Sequence, residues 1–232
     1  MSAAVPDVMT LLATASQGPQ GLSALQPAQF AAALDLDGLI ISLSNSSGLE
    51  LVWSDPSDAT GTAVEDLQYT LGEGPSLDAV RTGEQVMVPD LRAVPAHQWP
   101  ALLPPLLEHP VRALYVMPLQ LGVIRLGCLT GRRDRPGPLT RDQMSDVLIL
   151  AEAATLMLLS PDGARDVGSE GPLPLHRALL HQAVGVLSVR LDVPVDEALA
   201  RLRAYAFTHE RPILEVADDV LNGRSRLENS SS

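Results

Sequence analysis

The 232-residue sequence predicts an α+β domain, an antiparallel sheet with flanking helices, followed by an all-α bundle of three helices. Three observations point to this. Short strand-like apolar runs alternate with helix-compatible pieces up to residue 131, a Gly-, Pro- and Ser-rich break falls at 160–174, and three apolar stripes at helical spacing follow it. The expected division is a sheet domain over 1–160, a linker over 161–174 and a bundle over 175–227.

Two helical stretches precede the first run. The strand-like runs are "GLIISLSN", "LELVWSD", "QVMVPD", "RALYVMPLQ" and "GVIRLGCLTG". The last two flank "LG" and read as a hairpin without the favoured Asn-Gly turn. Helix-compatible pieces lie at 59–68, 75–82 and 99–108. The segment 139–159 reads as one long helix, with Thr140 as its N-cap and an apolar stripe through Val147, Leu150, Ala154 and Leu158. Past the break, the three stripes run from Leu180 to Leu191, Val195 to Ala206 and Ile213 to Leu221. Pro194 and Pro212 suit first-turn positions, Asp196 and Glu197 the positive end of the second helix, and Asn222-Gly223 a helix stop.

All 16 basic residues are Arg. Without lysine the chain cannot form a Gly-Lys-Ser/Thr phosphate loop, a kinase strand lysine, a Schiff base or a phosphoreceiver lysine. Charge is uneven. Residues 1–175 hold 9 Arg and 20 acids, a net of −11, whereas 176–227 hold 7 of each and are neutral. The acidic part repels nucleic acid, so only the C-terminal part can present arginines to phosphate.

The single cysteine, Cys128, excludes an internal disulfide and reads as a buried structural thiol. His97, His109, His176, His181 and His209 show no metal-ligand spacing, so no metal site or other cofactor is expected. "GEGPS" is no nucleophile elbow; Glu73 and Asp78 read as helix-start capping, and Glu65 and Asp66 as a solvated face. No enzyme is expected. With neither a membrane-length apolar run nor a basic leader at "MSAAVPDVMTLLATASQG", a cytoplasmic protein is expected.

The C-terminal segment resembles an ANTAR domain through "QAxGxL" at Gln182, Ala183, Gly185 and Leu187, "DEALxxLRxxA" from Asp196 to Ala206, and "LEVADDV" from Leu214 to Val220. The resemblance implies a bacterial, actinobacterial-like antitermination regulator that binds paired RNA hairpins in leader transcripts. The family usually carries lysine where this chain has Val184. Candidate RNA-binding residues are therefore Arg203, within the family's Leu-Arg pair, with Arg190, Arg177, Arg201, Arg211, His181, Gln182 and Thr208. These guanidinium groups are expected on one side of the bundle. Gly185 costs roughly 1 kcal/mol against Ala in a helix interior. The expected reason is close helix packing, with approach by RNA as the alternative.

The N-terminal part resembles a GAF domain over roughly residues 22–160, on "LGEGPSLDAVRTGEQVMVPDL", "HQWPALLPPLLEHPVRALYVMPLQLGVIRLGCLTG" and "RPGPLTRDQ". That implies signal sensing by an unidentified small molecule, with Trp53, Tyr69, Trp99, Tyr115 and Met117 as candidate pocket walls. Many relatives carry cysteine where this chain has Ser76, which disfavours thiol chemistry there. The helix at 139–159 has enough apolar surface for a homodimer seam. The competing reading is a signalling or assembly protein whose bundle serves protein contacts instead of RNA.

Overall fold

A computed structural model describes residues 6–16, 21–45, 48–160 and 177–224. The expected linker, 161–174, lies outside the described residues. Five strands form one antiparallel sheet: β1 (Gly38–Asn45), β2 (Gly48–Ser54), β3 (Val86–Val88), β4 (Ala113–Leu121) and β5 (Ile124–Arg133). Their order is β2-β1-β5-β4-β3, so β2 and β3 are the edges.

Helices cover both faces, which is why the central strands read as nearly unbroken apolar runs. The alternation of β4 sends Tyr115, Met117 and Leu119 to one face and Leu114 and Val116 to the other. On the first face lie α1 (Val8–Ala15), α2 (Pro27–Ala33) and the long α6 (Arg141–Leu159). Thr140 and Gln143 form a reciprocal capping box that starts α6. Val147, Leu150, Ala151 and Ala154 then bury a stripe against the sheet, while Leu148, Leu156 and Leu159 stay exposed.

The second face carries α3 (Ala59–Leu71), α4 (Pro75–Thr82) and α5 (Leu103–Leu106). The helix expected at 99–108 shrinks to one turn at α5 because Pro104 and Pro105 have no N–H to continue it. Asp58 caps α3 by accepting from the Gly61 N–H at 2.8 Å. The same carboxylate pairs with the guanidinium of Arg132 at 2.6 Å, tying the start of α3 to the end of β5.

The C-terminal bundle consists of α7 (Ala178–Leu191), α8 (Val195–Thr208) and α9 (Ile213–Leu221). Leu180, Ala183, Leu187, Ala198, Leu202, Ala206, Val216, Ala217 and Val220 fill its core. Asp192, at φ 53°, ends α7, and Gly223, at φ 68°, follows α9. Tyr69 of α3 joins this core, so the bundle docks onto α3 and the edge strand β2. Edge strands left open invite unwanted pairing. Here Arg177 covers the edge by donating from Nη1 to the Leu49 carbonyl at 2.8 Å. Among the described residues, no single helix is long and apolar enough to cross a membrane.

Candidate nucleic-acid interface

The bundle has two faces that bear on recognition. On the outer face, Gln182, Gly185, Val186, Val189 and Arg190 of α7, with Leu221 of α9, line an open groove. Gly185 is exposed there, and a Cβ built on it meets no atom within 4 Å. Its expected role in helix packing is therefore incorrect. The apolar stripe of α7 turns Ala183 and Leu187 inward, which leaves position 185 on the solvent side. Val184 is 4% exposed and packs in the core, so the position where the family carries lysine faces inward here. Val189 is an apolar residue at 85% exposure on the same groove.

The inner face meets the sheet domain. Arg177 is 1% exposed. Its backbone N–H donates to Glu50 Oε1 at 2.7 Å, and its Nη2 pairs with Asp66 at 2.6 Å. His181 Nε2 lies 3.0 Å from Glu50 Oε2. The guanidinium carbons of Arg177 and Arg203 lie 4.2 and 4.3 Å from the Tyr69 ring centroid, a cation–π distance for both. Burial holds Arg203 below the usual guanidinium range and pushes the Tyr69 phenol up. Gly48, at φ 127°, completes the contact. A Cβ there would lie 3.2 Å from the Tyr69 ring and 3.3 Å from Arg203 Nη2.

The remaining candidates lie elsewhere. Arg201 pairs with Glu197 at 2.6 Å, one turn away on α8. Arg211 pairs with Asp219 at 2.8 Å, and hydrogen bonds from Arg224 and Arg211 hold the Asp219 carboxyl below its ordinary value. Thr208 donates its hydroxyl to the Ala204 carbonyl. The expectation that the guanidinium groups gather on one side is thus not met. Arg177 and Arg203 join His181 against the sheet domain, Arg190 and Gln182 face outward, and Arg201 and Arg211 are engaged by carboxylates of the bundle itself. Helical spacing fixes which residues share a face, but it carries no signal for partners more than 100 positions upstream. Glu50 and Asp66 were missed for that reason.

The sheet domain holds a second polar cluster, wholly buried. Glu65 Oε1 accepts from the Ser76 hydroxyl at 3.0 Å and Gln68 Nε2 at 3.1 Å, and its Oε2 accepts from the Ser42 hydroxyl at 3.1 Å. Thr130 and Cys128 continue the chain of contacts. Burial raises the Glu65 carboxyl above its ordinary value, with Arg177 among the groups opposing it, and burial also pushes the Cys128 thiol up. Neither Glu65 nor Asp66 forms the solvated face read from the sequence. Asp78 lies in the first turn of α4, the helix-start position read from the sequence, while the N-cap residue is Gly74 and no side chain makes a cap bond there. Glu73 accepts from the Ala101 and Leu102 N–H groups, and Asp78 from Trp99 Nε1 at 2.9 Å.

The five candidate pocket residues are not brought together. Trp53, Tyr115 and Met117 pack with α1, α2 and α6, Trp99 packs on the opposite face, and Tyr69 joins the bundle. An open cleft of about 430 Å³ lies instead between α2 and the start of α3. Ala31, Asp37, Asp58, Thr60 and Arg132 are among the residues lining it. Among the described residues, no group of three or more His, Cys, Asp or Glu is placed to hold a metal ion.

An α+β domain docked on a three-helix bundle is the arrangement to be compared with known proteins. The GAF domain family profile matches residues 28–158, more than half of the chain, and the chain belongs to that family. The ANTAR domain profile matches residues 175–221, the stretch that holds α7–α9. The GAF domain from the Acinetobacter phosphoenolpyruvate-protein phosphotransferase is similar at 16% identity and a TM-score of 0.53, over 70% of this chain and 94% of that one. The GAF domain from the Coxiella burnetii phosphoenolpyruvate-protein phosphotransferase gives 15% identity and a TM-score of 0.50, over 67% and 95%. These likenesses concern the fold. No curated protein matches the chain.

Proposed function

We propose that the chain is a bacterial antitermination regulator whose bundle binds paired RNA hairpins in leader transcripts under control of a signal sensed by the GAF domain. The observation that carries this reading is the open face of α7 inside the ANTAR match. Gly185 has no packing reason to be glycine, and it lies beside exposed Gln182 and Arg190. A missing Cβ lets a backbone or base approach closely, and Gln and Arg supply hydrogen bonds to phosphate or base edges. The cleft lined by Asp58 and Arg132 offers space for the small molecule. The exposed Leu148, Leu156 and Leu159 of α6 supply an apolar edge for a homodimer, which would match two hairpins. Leader transcripts place the activity in the cytoplasm.

A second reading, in which the bundle serves only protein contacts, is favoured by one observation: Arg177 is consumed by the sheet domain, and Arg203 packs there as well. Binding to RNA with two small hairpins, scrambled RNA and duplex DNA across a salt series separates the two. Selective hairpin binding that weakens with salt supports the first reading, because each phosphate contact formed releases condensed counterions and added salt opposes that release. Absence of selective binding at low salt, with the chain folded, supports the second.

A further inference from the structure

The contact between bundle and sheet domain has the chemistry of a nucleotide site already filled. A flat ring, Tyr69, is held by two guanidinium groups at stacking distance. Two carboxylates, Asp66 and Glu50, occupy Arg177 Nη2 and the Arg177 backbone N–H, and Glu50 also engages His181. A carbonyl, that of Leu49, takes Arg177 Nη1. Unpaired RNA presents the same three kinds of group: a base that stacks on guanidinium planes, anionic phosphate oxygens and carbonyl acceptors on base edges. Guanidinium suits both partners because its planar fork grips carboxylate and phosphate alike and stacks on a ring.

We infer that the Arg177–His181–Arg203 face of the bundle is a second RNA-contact surface, which the GAF domain closes by presenting Tyr69, Asp66 and Glu50 as stand-ins for a nucleotide. RNA and the docked GAF domain then compete for one face. This inference rests on the RNA-binding reading and adds the site of its control. Competition requires reciprocity: whatever weakens docking strengthens RNA binding at this face, and RNA bound there must release the GAF edge. The positions are well suited to transmit a signal. Helix α3 carries Asp66 and Tyr69 into the contact while Glu65 and Gln68, on the same helix, reach the buried cluster with Ser76. A ligand or side chain that shifts α3 therefore acts on both places at once.

The test uses the full chain and a fluorescently labelled RNA with two small hairpins. Hydrogen exchange is measured on the unaltered protein with and without saturating RNA, and affinities are measured for a Glu50→Gln/Asp66→Asn pair and for Tyr69→Ala. The pair keeps side-chain shape, so it remains informative should Tyr69→Ala fail to fold. Expected results are faster exchange at 48–52 and 66–71 on adding RNA and affinity at least tenfold tighter in the released variants. Adding Arg203→Ala to the Glu50→Gln/Asp66→Asn pair should abolish that gain. RNA binding that leaves those segments as protected as before overturns the inference while the RNA-binding reading stands, since a complex with both partners bound excludes competition. Failure of every variant to bind hairpin RNA overturns the RNA-binding reading itself, and the inference with it.

Discussion

Replacing Gly185 by Ala should stabilise the bundle and weaken recognition at the same time. Gly185 occupies the eighth of the 14 positions of α7, with regular turns on either side. A glycine in such a helix interior costs about 0.5–1 kcal/mol relative to Ala, through the extra backbone freedom it loses on folding. The substitution adds only a Cβ, and that atom meets nothing within 4 Å. No overlap opposes the gain, so the full 0.5–1 kcal/mol, again about the propensity difference, should appear. In a chain of this size that raises Tm by roughly 1–4 °C. A thermal melt followed by far-UV ellipticity reads the shift. If RNA backbone or base approaches this face, the same methyl group intrudes, and hairpin affinity should fall about tenfold, or ~1.4 kcal/mol. A lower Tm would refute the stability reasoning, because it would mean that glycine relieves a contact. A higher Tm with unchanged RNA affinity would refute the placement of RNA on this face.

Asp58→Ala removes both the cap of α3 and one of the two carboxylates paired with Arg132, whose side chain is 10% exposed and which keeps Asp134. Orphaning a buried charge costs about 3–5 kcal/mol, so with Asp134 retained the pair loss falls below that, and a lost N-cap adds about 1 kcal/mol. The two indoles, Trp53 and Trp99, both lie in the GAF domain, so urea unfolding followed by tryptophan fluorescence should show the loss. A change below about 1 kcal/mol would contradict the buried pairing. Glu65 has a folded pKa raised above its ordinary 4.5, so its contribution is intact below that value and fades as pH rises through the raised folded value. Stability should therefore decline with increasing pH over that window, and Glu65→Gln should flatten the decline; an identical pH profile for the variant would show that the carboxyl is not the group responsible. Cys128 is buried with its thiol pushed up, so a thiol reagent at mildly alkaline pH should label it only after denaturant is added. Rapid labelling of the native chain would place the thiol at the surface.

Most of the fold can be read from the sequence because its signals are local. β4 and β5 are apolar runs around a short turn, α6 announces itself through Thr140 and its stripe, and the bundle repeats one apolar period three times. The end of α3 is local too, though the expected bounds stopped short of it. It continues past the expected residue 68 to Leu71 and stops at Gly72, in the left-handed region at φ 68°, whose N–H donates to the Gln68 carbonyl. Glu65 and Asp66 look like any adjacent acidic pair on a helix surface, yet one is sealed under α4 and β5 and the other pairs with Arg177, 111 positions away. Val184 is a different case: only the placement of α7 in the bundle shows that the position faces inward. The candidate site was thus legible as a set of residue types, but its division into an open face and an occupied one depends on tertiary contacts.

Covalent mapping of the bound RNA tests the account most directly. The full chain would be irradiated with a two-hairpin RNA carrying photoreactive uridines, digested, and the linked peptides identified by mass. Adducts concentrated on 182–190, and lost when Gln182 and Arg190 are both changed to Ala, are the predicted result. Adducts confined to the GAF domain, or scattered without preference over both domains, would contradict it.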